Sequence, residues 1–186
     1  HAAEQGAYTG ELSLGMVKDF GCRYVLIGHS ERRELFAESN ADTATKVAAA
    51  LAEDVTPMLC VGETLAQREA DTTEQVVGEQ LDAVLNEVGI AAFKRIVIAY
   101  EPVWAIGTGK TASPQQAQAV HAFIRGRLAQ ADAEVAAQSR VLYGGSVKAA
   151  NAQELFQQPD IDGGLVGGAS LLADEFVAIC QAAAEV

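Results

Sequence analysis

Five short apolar runs punctuate the chain: RYVLIG (23–28), TPMLCVG (56–62), RIVIAY (95–100), RVLYGG (140–145) and GGLVGG (163–168). They are near-continuous rather than alternating, which marks strands buried on both faces. Between them the apolar spacing becomes helical. In 72–89, Val76, Val77, Leu81, Val84, Leu85 and Val88 share one helical face, and Gly89 is suited to end it. Ser113-Pro114-Gln115-Gln116 reads as a capping box with proline at the first helical position. Behind it Ala117, Val120, Phe123, Ile124 and Leu128 line one face. Further helical patterns cover 10–21, 41–53, 151–158 and 173–184. A helix followed by five βα pairs predicts an α/β fold, a parallel sheet with right-handed crossovers. No Pro/Ser-rich linker divides the chain, so one domain over residues 1–186 is expected.

Composition narrows the function. With 49% hydrophobic and 20% charged residues, the 186-residue chain has the makings of one soluble globular core. No apolar run approaches the ~20 residues of a membrane helix. The first residues carry no basic flank and no apolar block, so no signal peptide is expected, although the chain begins with His1. Thirteen basic against 25 acidic residues give a net charge of −12, which argues against nucleic-acid binding and obliges an anionic substrate to find a local positive field. Cys22, Cys60 and Cys180 form no CxxC pair and read as buried thiols of a reducing, cytoplasmic compartment. His1, His29 and His121 lack metal-ligand spacing, so no metal is expected.

In parallel α/β folds the reacting groups gather at the carboxyl ends of strands. Those ends here supply His29, Glu101, Gly144-Gly145-Ser146 and Gly167-Gly168. Glu101 follows a strand and is flanked by Tyr100, Val103 and Trp104. Desolvation by such neighbours suits a general base, whereas a solvated strand-end carboxylate is the plain alternative. His29 precedes the helix-like stretch SERRELF, where a positive dipole end would lower its pKa and keep the imidazole neutral. A satisfied structural histidine is its plain alternative. Two glycine turns after the last two strands match the phosphate sites of barrel enzymes, with Ser146 adding an amide and a hydroxyl. GTGKT is not a P-loop, because Trp104 stands where the first glycine of that motif is needed.

Taken together, GAYTGE (6–11), GHSERR (28–33), CVGET (60–64), AYEPVWAIGTGKTA (99–112), YGGSV (143–147) and LVGGAS (165–170) resemble the triosephosphate isomerase family over essentially the whole chain. The resemblance implies an incomplete TIM (β/α)8 barrel of five parallel strands alternating with helices. It implies proton transfer by Glu101 between dihydroxyacetone phosphate and glyceraldehyde 3-phosphate, a step of glycolysis and gluconeogenesis. His29 would polarise the carbonyl of an enediolate pathway, and Glu31 would support it as a nearby carboxylate. Residues 102–112 would form a lid, with Gly107, Ser146, Gly167 and Gly168 holding the phosphate. No cofactor is implied.

The same resemblance marks what does not match. The family's barrel has eight strands, and its first carries an Asn-x-Lys pair whose lysine makes the site positive. No Asn-x-Lys occurs here; Lys110 falls in the lid, and Lys18 and Lys46 in helical stretches. The chain alone is therefore expected to have lost most or all isomerase activity. Open sheet edges are expected to drive homo-oligomers, through those edges or the loop near Thr9. A non-catalytic, self-associating fragment and a half-barrel that recruits its other half from another chain remain open alternatives.

Overall fold

The first four apolar runs become strands β1 (Tyr24–Ile27), β2 (Thr56–Val61), β3 (Val97–Tyr100) and β4 (Arg140–Tyr143) of one parallel sheet, ordered in space as in sequence. The computed structural model of the chain describes residues 1–106 and 111–184. Helix α1 (Leu14–Asp19) precedes β1, α2 (Ser30–Leu35) and α3 (Asn40–Ala52) connect it to β2, and α4 (Leu65–Glu69) and α5 (Thr73–Val88) lead on to β3. Helices α6 (Pro114–Ala129), α7 (Ala133–Gln138), α8 (Ala149–Phe156) and α9 (Ala173–Ala184) complete the order.

The fifth run is not a strand. Gly164 makes only an isolated parallel bridge to Tyr143. Backbone bonds from Tyr143 N–H to Gly163 O and from Leu165 N–H to Tyr143 O, both 2.9 Å, hold the segment beside β4. With four glycines in six residues and Gly163 at φ +143°, the segment has few side chains to pack and does not extend into a strand. The expected five strands are thus four.

The helices form where local signals are strong. Ser113 Oγ accepts from Gln116 N–H at 3.1 Å and Gln116 Oε1 accepts from Ser113 N–H at 2.9 Å, the reciprocal cap expected of α6. Gly89, at φ +74°, closes α5 with its N–H on Leu85 O. The helix expected over 10–21 shrinks to α1, because Ser13 caps at Met16 N–H and leaves the residues before it outside. α4 and α7, of five and six residues, are too short for a periodicity to announce them.

Alternation along the strands divides the sheet into two unlike faces. Ile27, Leu59, Val61, Ile98, Tyr100, Val141 and Tyr143 belong to one core with Val77, Leu81, Val84, Ile124 and Leu128 of the helices. Each large aliphatic side chain buried there contributes roughly 2 kcal/mol. On the other face Cys60 and Ala99 are buried but Met58 and Leu142 only partly so, and Leu26 is 46% exposed. Burial on both faces therefore holds throughout β3 and fails at β1, which has a neighbour on one side only. Of the three cysteines expected to be buried, only Cys60 is; Cys22 and Cys180 are exposed at the surface.

Candidate active site

The strand register brings the carboxyl ends together. Ile27 pairs with Leu59, Val61 with Tyr100, and Tyr100 with Tyr143. Two further bonds, Glu101 N–H to Val61 O and Gly144 N–H to Tyr100 O, each 2.7 Å, extend the pairing past β3 and β4. His29, Glu63, Glu101 and the Gly144 turn consequently share one rim. Two glycines make the close approach possible. A Cβ on Gly28, at φ +76°, would meet Arg33 Nη2 and Thr43 Cγ2 at 2.9 Å, and one on Gly62 would overlap the carbonyl of Glu101.

At this rim His29 Nε2 lies 2.9 Å from Glu101 Oε1. The other carboxylate oxygen of Glu101 accepts from Ser30 N–H at 3.1 Å. Glu101 is only 3% exposed, and His29 is half-buried. His29 caps α2, its Nδ1 accepting from Glu31 N–H at 3.3 Å. That bond needs the Nδ1 lone pair, which places the ring proton on Nε2, donating to Glu101. The imidazole pKa is not lowered, as the helix end alone suggested, but raised. Its hydrogen bond with Glu101 is the largest influence, burial opposes it, and the charges of Glu101 and Glu31 add to the rise. A direct carboxylate contact outweighs the dipole of a six-residue helix.

A cavity of about 550 Å³ opens from this pair. His29 and Glu101 form part of its wall, and the turns at Gly144–Ser146 and Gly167–Gly168 form another part. Gly168 starts a 3-10 turn, Gly168–Leu171, at which Ser170 N–H returns to Gly167 O. Five of the residues singled out from sequence, His29, Glu101, Ser146, Gly167 and Gly168, thus meet at one cavity. Glu31 does not line it; its side chain is exposed on the first turn of α2, and it acts on His29 through its amide and its charge. Gly107 lies outside the described residues, as do the other residues of the expected lid from 108 to 110. Among the described residues no group of three His, Cys, Asp or Glu is arranged to hold a metal ion.

Four charged residues of this region, Glu63, Arg68, Lys148 and Glu175, do not stand out in the sequence. Glu63, wholly buried, accepts from Tyr100 Oη at 3.1 and 3.2 Å, from Trp104 Nε1 at 2.8 Å and from Arg68 Nη1 at 3.2 Å. Arg68 also stacks over the Trp104 ring at 4.7 Å. This network ties residues 103–105, just past Glu101, to the end of β2. Glu63 precedes a helix-capping threonine, so in sequence it looks like an ordinary helix entrance, and its partners Tyr100 and Trp104 are about 40 residues away. Lys148 and Glu175 line the cavity as well. Lys148 could have been noticed as the basic residue two positions beyond Ser146.

Known proteins share this sequence over almost its full length. The family model described as triosephosphate isomerase matches residues 1–183. A triosephosphate isomerase of Thiobacillus denitrificans is 69% identical over 181 residues, which covers 97% of this chain and 73% of that relative. One from Nitrosomonas eutropha is 65% identical over 179 residues, covering 96% and 71%. One from Halorhodospira halophila is 63% identical over 183 residues, covering 98% and 74%.

Proposed function

Because the chain belongs to the triosephosphate isomerase family, we propose that its cavity is a triose phosphate site built for proton transfer by Glu101. The observation that carries this reading is the 2.9 Å contact between His29 Nε2 and Glu101 Oε1 on the wall of a cavity that also holds both glycine turns. A base and an Nε2–H donor side by side can serve two adjacent carbons of one ligand. Glu101 would take the proton from one carbon, His29 Nε2–H would stabilise the charge on the carbonyl oxygen, and the proton would return to the neighbouring carbon. The bonds from Ser30 N–H and His29 to Glu101 must be exchanged for substrate first. Ser146, Gly167, Gly168 and, outside the described residues, Gly107 would receive the phosphate. Residues 102–112 would cover the enediolate and keep water from it. A cytoplasmic setting suits such a reaction, and among the described residues no helix is long and apolar enough to cross a membrane.

This chain by itself is proposed to be a poor catalyst. No Asn-x-Lys pair is present, and loss of one oxyanion-stabilising donor costs ~10²–10³ in kcat. The test is conversion of dihydroxyacetone phosphate by the purified chain, alone and with a supplied segment bearing an Asn-x-Lys strand, each alongside Glu101→Gln. Rescue by the segment that Glu101→Gln abolishes supports the site. Full activity of the chain alone, persisting after host isomerase is removed, overturns the claim of impairment.

A second reading, self-association, is favoured by β1. Tyr24 and Leu26 are 50% and 46% exposed on a strand paired on one side only. Such an edge invites a second copy. Light scattering at micromolar concentration should show oligomers; a monodisperse monomer defeats this reading.

A further inference from the structure

The described residues around the cavity bring a phosphate little positive charge. The chain carries a net charge of −12, and Glu101 and Glu175 both line the cavity. Among the described lining residues, Lys148 is the one lysine or arginine. It stands at the N-cap of α8, two positions after Ser146, with its side chain exposed.

The polar groups around it are already engaged. Lys148 N–H donates to Asn151 Oδ1 at 2.7 Å, and Asn151 Nδ2 donates to Ser146 O at 3.1 Å. Ala149 N–H donates to Glu175 Oε2 at 3.0 Å. The amides of Lys148 and Ala149 are therefore committed to the chain's own acceptors, and a carboxylate already occupies the positive end of the helix. Lysine ion pairs among the described residues involve Lys18, Lys46 and Lys94, and leave Lys148 without a carboxylate partner.

We propose that Lys148 is an anion-holding cation of this cavity, its ammonium taking a phosphate monoester group between the Ser146 turn and the Gly167–Gly168 turn. The inference rests on reading the cavity as a triose phosphate site. A flexible four-carbon stem lets Nζ reach over the turn, and a compact ammonium binds phosphate without a fixed fork geometry. Glu175, held by Ala149 N–H, opposes the same ligand, so Lys148 and Glu175 set the affinity against each other.

Titration of the whole chain with inorganic phosphate at low salt, followed at the amides of Ser146, Gly167 and Gly168 by 1H–15N NMR, tests this. The wild-type amides should shift saturably. Lys148→Gln should weaken binding about tenfold or more, since it removes a charge-assisted contact. Lys148→Arg should retain most of the affinity. Glu175→Gln, whose amide oxygen can still cap Ala149 N–H, should tighten binding. If Lys148→Gln binds as tightly as wild type while the amides still shift, the role of Lys148 is overturned and the cavity reading stands. If the wild-type amides do not shift, the cavity reading falls, and this proposal with it.

Discussion

Glu63 follows β2 and Glu101 follows β3, and both are almost fully withdrawn from water, at 0% and 3% exposure. Their surroundings differ. Glu63 is saturated by a phenol, an indole and a guanidinium, and these donors leave it no open direction. Burial, and then the charge of Glu63, push the Tyr100 hydroxyl far above its usual range, so that it remains a donor. Glu101 accepts from one imidazole and one backbone amide, lies beside the buried Cys60 thiol and faces a cavity. Burial alone thus does not distinguish a carboxylate open to a ligand from one sealed within the chain. What distinguishes them is whether the charge is neutralised by fixed side chains or left facing space that a ligand can enter.

The strongest test of this contrast is removal of each carboxylate. Glu63→Ala removes the carboxylate that Tyr100, Trp104 and Arg68 share and should cost about 3–5 kcal/mol in denaturant unfolding. If it costs no more than Glu101→Ala, the contrast breaks. Acid should strike next, at a residue packed against the ends of β3 and β4. His121 is buried with its ring edge-on to Tyr100 at 5.8 Å and tilted against Tyr143 at 6.3 Å. Burial lowers its pKa to about 4, against the opposing effects of the Asp160 carbonyl and the Asp162 charge. Between the unfolded value, about 6.5, and the folded one, the unfolded chain binds the extra proton. Stability should therefore fall as pH drops through that window, by up to about 3 kcal/mol, and level off below it. Denaturation curves from pH 7 to 4 should show this loss, and His121→Phe should remove the part due to this ring.

Smaller effects sharpen the comparison. Trp104→Phe deletes one of the donors to Glu63 and should cost about 1 kcal/mol while leaving the His29–Glu101 pair in place. Glu101→Gln should change stability least and the titration of His29 most. The raised His29 pKa means that this pair contributes stability fully below the unfolded histidine value and loses it as pH rises through the folded one. With the carboxylate gone, the His29 pKa should fall, as read by NMR, and that pH dependence should disappear. A His29 pKa unmoved by Glu101→Gln would show that the contact is not what raises it.

Legibility in the sequence followed the range of each signal. α6 was readable because its cap, its proline and its apolar face all lie within one segment, Ser113 to Leu128. The segment 163–168 was misread because its hydropathy is that of a strand while its glycines deny it the packing of one. His29 and Glu101 stood out because each sits where an apolar run ends. The direction of the His29 shift did not, since it depends on Glu101 more than 70 positions away. Glu63 passed for a helix entrance because its donors come from β3 and the turn after it.

The sequence by itself determined the alternation of strands and helices, the parallel order and the residues at the strand ends. Those features rest on hydropathy and chain stereochemistry, which act within a few residues. Only the tertiary structure decided which carboxylate is saturated and which faces the cavity, that the last apolar run meets the sheet at a single bridge rather than as a strand, and that Lys148 and Glu175 share the cavity with Ser146. Each of these depends on donors, charges or glycine backbones that meet only when distant segments pack, because electrostatic and hydrogen-bond partners are chosen by distance in space rather than along the chain.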